Sequence, residues 1–137
     1  MNEAFGDEDP PCQYRMTLAV TPHALRHIRR IVRTHLRRWG MPELSDAAEL
    51  AVTEVLANVI RHAADGLCAL RVLRQDGGIR VEVSDGSPAL PVPRRAGELD
   101  EDGRGLALLG AITHAWAAEP AADGTGKTVW FELKAGG

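Results

Sequence analysis

Two apolar runs, Leu67 to Leu73 and Ile79 to Val83, flank the segment Gln75-Asp76-Gly77-Gly78, and no other stretch of the chain restricts its fold so tightly. An Asp-Gly pair between β-prone runs is a strong hairpin signal, because tight hairpin loops need the positive φ that glycine adopts without strain. An antiparallel strand pair therefore lies near the middle of the chain, and the remaining elements must cover one of its faces. Tyr14 to Val20 alternates well enough for an earlier strand, His114 to Ala118 reads as another, and Thr128 to Leu133 as the last.

Helices fill the gaps. Thr21-Pro22 reads as an N-cap with proline in the first turn, and Leu25, Ile28, Val32, Leu36 and Trp39 recur at helical spacing until Gly40. The other face of that helix carries Arg26, Arg29, Arg30, Arg33 and Arg37. Ser45 is placed to cap a second helix that runs to about Ala64, where Asp65-Gly66 ends it. A third starts near Arg104 and reaches about Thr113. Between the hairpin and that helix, residues 86–102 hold three prolines, two glycines and four acids, a loop long enough to serve as a lid or binding loop. The resulting order predicts an α/β (α+β) two-layer sandwich, a mixed β-sheet with helices on one face.

With 137 residues the chain fits one domain, expected over 14–137 after a polar, acidic tail (1–13) that contains Pro10-Pro11 and is expected to be disordered. The net charge of −3 argues against bulk attraction to nucleic acid or anionic lipid, although residues 22–38 hold six arginines and no acid. Cys12 and Cys68 have no metal-ligand spacing and read as free thiols. No signal peptide opens the chain and Gly105 to Ala118 is too short to span a bilayer, so a soluble cytoplasmic protein is expected.

Three short segments carry chemistry, in order. Glu54 and Asn58 stand four apart in Glu-Val-Leu-Ala-Asn and share one helical face. A carboxylate there can polarise a hydroxyl, and an amide oxygen suits Mg²⁺, a hard cation. Val81-Glu82-Val83-Ser84-Asp85-Gly86 ends a strand on a carboxylate. Gly103-Arg104-Gly105-Leu106 opens a helix with residues that let backbone N–H groups approach an anion. Alone, each is common.

Together, in this order, they resemble the GHKL ATP-binding superfamily (the Bergerat fold) over roughly residues 14 to 134. Within it the chain looks most like the anti-sigma-factor serine/threonine kinases of bacterial partner-switching systems. The resemblance implies ATP and Mg²⁺ as ligands, with Asn58 ligating the metal and Glu54 acting as the base toward an attacking hydroxyl. It implies that Asp85 accepts from the adenine amine, with Gly86 beside it. Gly103, Arg104, Gly105 and Leu106 would meet the phosphates, and Thr128 would support Asp85. The loop 86–102 would be the ATP lid. Implied partners are an anti-sigma-antagonist protein, a sigma factor, or both; relatives of this kind often dimerise, so a homodimer joins them.

One departure sets a second reading beside the first. The family usually continues Asp-x-Gly-x-Gly, whereas this chain has Asp85-Gly86-Ser87-Pro88-Ala89. Proline donates no N–H and fixes its own φ, so the adenine side is expected to differ. The alternative is a catalytically weak or inactive module that sequesters a sigma factor or another regulator. Gly124-Thr125-Gly126-Lys127-Thr128 mimics a P-loop, but position 121 is alanine and the following residues are strand-like. His62 is given no role. The arginine face is expected to be solvated or to meet an acidic protein, and nucleic acid is not an expected partner.

Overall fold

The computed structural model describes residues 12–63, 65–87, 101–121 and 124–136, with the side chains of 101–106 outside that description. Residues 1–11 of the expected tail and 88–100 of the expected lid lie outside the described residues. The elements run β1 (Gln13–Ala19), α1 (Pro22–Arg38), a 3₁₀ turn (Pro42–Leu44), α2 (Ser45–His62), β2 (Leu67–Gln75), β3 (Gly78–Asp85), α3 (Glu101–Ile112), β4 (Ala115–Pro120) and β5 (Lys127–Lys134).

The strands form one sheet in the order β1-β2-β3-β5-β4. Every neighbouring pair is antiparallel, so the sheet is not mixed as the sequence suggested. The reason is topological. The β3–α3–β4 connection returns the chain in the direction of β3, the arrangement that normally gives parallel neighbours. Here β5 turns back from β4 and inserts between the two, so β3 and β4 never pair. The hairpin forms where expected: Gln75 faces Gly78 across Asp76-Gly77, and Gly77 takes φ 73°.

One face of the sheet is buried and the other open. Cys68, Leu70 and Val72 of β2, Ile79, Val81 and Val83 of β3, and Val129, Phe131 and Leu133 of β5 all point into the core. Residues between them alternate to the outer side, as the two-residue period of a strand requires. The helices cover the inner face. Ile28, Val32 and Leu36 of α1 are fully buried, each contributing roughly 1.5–3 kcal/mol. α2 packs between α1 and α3 and rests on β3 and β5.

Capping agrees with the sequence at one helix and departs at the next. Thr21 Oγ1 accepts from the Ala24 N–H at 3.0 Å, with Pro22 in the first turn, as read for α1. At α2 the side chain of Ser45 does not cap. The 3₁₀ turn leads straight into the helix through Leu44, and the Ser45 N–H donates to the Pro42 carbonyl. Burial of Leu44 stabilises that entry in place of a hydroxyl cap.

Candidate functional site

α2 carries the first half of the site. Asn58 is 6% exposed, flanked on the helix by the buried Val55 and Val59. Its Oδ1 is sealed from water and accepts no hydrogen bond from any described residue. An unpaired buried amide oxygen costs about 1–3 kcal/mol, and native proteins keep few of them. Glu54, one turn earlier on the same face, is half-buried. It makes no hydrogen bond or ion pair with any described residue. The helix itself is held by other contacts, among them the Arg33 bridges to Asp46 and Glu49 from α1.

An amide oxygen such as Asn58 Oδ1 is of the kind that a hard cation takes. Among the described residues no cluster of three or more His, Cys, Asp or Glu exists that would hold a metal by protein ligands alone. Mg²⁺ commonly takes one or two protein oxygens and completes its shell with phosphates and water. A single unsatisfied amide oxygen fits that pattern.

The second half lies where β3 ends and β5 begins, and it is closed. Asp85 and Lys127 are register partners on the inner face. Lys127 Nζ stands 3.1 Å from Asp85 Oδ1 and 3.0 Å from Oδ2, with the side chains 0% and 1% exposed for Lys127 and Asp85 respectively. Asp85 Oδ1 also accepts the Ser87 N–H at 2.7 Å, an Asx turn that carries the chain past Gly86. A Cβ on Gly86 would meet nothing within 4 Å, so the turn uses no close approach there. Gly126 differs: a Cβ would lie 2.2 Å from the Asp85 carbonyl oxygen, so only glycine lets the two strands meet at this point.

Thr128 does not support Asp85. It lies on the outer face, where its Oγ1 is 2.7 Å from Ser84 Oγ. Strand parity decides this, since Val129, Phe131 and Leu133 point inward and residue 128 therefore points outward. Lys127 occupies the place that the sequence reading gave to Thr128. Cys68, the partner of Asp85 on β2, has its thiol pushed up from 9.0 to about 11, chiefly by burial and secondly by the Asp85 carboxylate.

The glycine segment falls within α3. The helix begins at Glu101 rather than near Arg104, so Gly103, Arg104, Gly105 and Leu106 occupy its first two turns. Farther along, Leu109 is buried and anchors α3 to the core. α3 packs against α2, the helix that carries Glu54 and Asn58.

Residues 18–133 match the family model of the histidine kinase-like ATPase domain. The match spans most of the chain, and the chain belongs to that family. The open sheet with helices on its inner face is the ATP-binding fold of this class. Over 77 residues the chain is also 44% identical to an uncharacterized protein of Streptomyces coelicolor, covering 53% of this chain and 72% of the relative. No helix among the described residues is long and apolar enough to cross a membrane.

Proposed function

We propose that this ATP-binding regulatory domain is a serine/threonine kinase that phosphorylates an anti-sigma-antagonist protein. The observation that carries the reading is the buried, unpaired Oδ1 of Asn58 beside an uncommitted Glu54. In this reading Asn58 offers its oxygen to Mg²⁺, which when bound supplies positive charge against the phosphates of ATP. Backbone N–H groups at the start of α3 would meet those phosphates, since a helix N-terminus favours anions. Glu54 orients the incoming serine or threonine hydroxyl and accepts its proton. The hydroxyl oxygen forms a bond to the γ-phosphorus as the bond to the β-phosphate oxygen breaks, and ADP leaves. Positioning and charge stabilisation supply most of the acceleration in such transfers.

The test uses two substitutions. Asn58→Ala is expected to remove Mg²⁺-dependent ATP binding in calorimetry. Glu54→Gln is expected to leave ATP affinity within about threefold while lowering phosphoryl transfer at least about 100-fold. Full transfer by Glu54→Gln would exclude it as the base.

A second reading has its own observation. The carboxylate expected to receive adenine is already held by the Lys127 ammonium on both oxygens. This favours a module with weak nucleotide affinity that captures a sigma factor or another regulatory protein. Partner binding unchanged by Asn58→Ala, with no phosphorylated product, would select it over the kinase.

A further inference from the structure

On the open face of the sheet, away from the helices, Arg15 of β1 and Arg71 of β2 stand directly opposite each other in register. Like charges placed so are destabilising unless something negative lies between or beside them. Arg71 is partly matched: its guanidinium donates to Glu82 Oε1 at 3.0 Å and to Gln13 Oε1 at 3.3 Å. Its Nε, however, is buried and meets no acceptor among the described residues. Arg15 has no ion pair or hydrogen bond with any described side chain.

The neighbouring acids do not remedy this. Glu82 is shared with Arg80 through Oε2 at 2.8 Å, and Arg80 in turn reaches Glu132 at 3.0 Å. Arg80 also stacks on Trp130, 3.9 Å from the ring centroid, which fixes it on that side of the sheet. Three guanidiniums thus face two carboxylates along β1, β2, β3 and β5, and the surplus sits at Arg15. Beside the arginine pair lies a concavity of about 440 Å³ bordered by Arg15, Thr17, Ala69, Arg71 and Ser84. Ala69 presents only a methyl there and Thr17 a hydroxyl, while the Ser84 hydroxyl is shared with Thr128 Oγ1 at 2.7 Å.

We propose that this concavity is a phosphoryl-binding site, separate from the inner-face site that Asn58 and Asp85 mark. Arg15 and Arg71 clamp the anion between their guanidiniums, and the Thr17 hydroxyl meets a further oxygen. A phosphoryl group has enough oxygens to engage two guanidiniums and a hydroxyl at once, which a carboxylate with two oxygens does less completely. The same chemistry is presented by free phosphate and by a phosphorylated serine.

The experiment is a titration of the full chain with inorganic phosphate and with O-phosphoserine, followed by backbone amide NMR at ionic strength matched with chloride. Saturable shifts at Thr17, Ala69 and Ser84 are expected, and Arg15→Gln should weaken the apparent affinity about tenfold, the loss of one charge-assisted hydrogen bond. Arg15 is exposed, so that variant keeps the fold. Arg26→Gln, on the opposite layer, should change nothing. Tighter binding of O-phosphoserine than of phosphate would assign the site to phosphorylated protein, and the reverse to a free anion. Shifts matched by chloride, better satisfied by acetate, or indifferent to Arg15→Gln would overturn the proposal.

Discussion

The two ends of the inner-face site treat buried polar groups in opposite ways. On α2 the Asn58 amide oxygen is sealed and meets no donor among the described residues. Where β3 meets β5, the Asp85 carboxylate receives an ammonium on both oxygens and a backbone N–H besides. Among the described residues the first end offers Asn58 Oδ1 no donor. The second is complete as it stands. Burial alone therefore does not mark a binding residue; what distinguishes the two is whether the chain itself satisfies the group. A buried group left unsatisfied costs stability, and native proteins keep few of them.

The sharpest way to break this contrast is to make the complete end incomplete. Lys127→Met leaves the Asp85 carboxylate inside the protein with no counter-charge, and is expected to cost about 3–5 kcal/mol in urea denaturation. Pairing it with Asp85→Asn should recover most of that loss, because the double variant buries no charge. A cost below about 1 kcal/mol for the single change would show that water reaches the pair, since exposed ion pairs contribute no more than that.

Much of the fold was legible in the sequence, whereas this contrast was not. Local signals identified the hairpin at Asp76-Gly77, the Thr21 cap and the apolar stripe of α1, because each depends on residues a few positions apart. The antiparallel sheet was not legible, since the insertion of β5 between β3 and β4 depends on pairing between distant segments. Thr128 was misplaced for a different reason. The alternation of Val129, Phe131 and Leu133 already says that residue 127, not 128, shares their face, and Asp85 shares the face of Val81 and Val83. Reading the two-residue period one step further would have set Lys127 against Asp85. The orphaned Asn58 oxygen had no sequence signal beyond the spacing to Glu54, since satisfaction is a property of packing.

The contrast is sharpened from the other end by Asn58→Leu, which keeps a branched outline and removes the unpaired oxygen. Without ligand the variant is expected to gain about 1 kcal/mol of stability, the desolvation penalty no longer incurred. It should also lose Mg²⁺-dependent nucleotide binding, an exchange of function for stability. Destabilisation instead would mean that Asn58 is held by contacts of its own and that the two ends are alike.

The smallest effect is at Cys68, which the closed end touches without depending on it. Its thiol binds its proton more tightly in the folded chain than in the unfolded one, with the folded value pushed to about 11 from 9.0 by burial and then by Asp85. Stability from this group is therefore fully present below about pH 9 and lost as pH rises through about 11, the window between the unfolded and folded values. Two measurements follow from the same protonation. Thiol alkylation at pH 8 should modify the exposed Cys12 and spare Cys68 until the chain unfolds. In Cys68→Ala the decline in stability between pH 9 and 11 should flatten relative to wild type. An identical decline in both would assign the alkaline transition to other groups, and rapid labelling of Cys68 in the native chain would show that the end closed by Lys127 opens on its own.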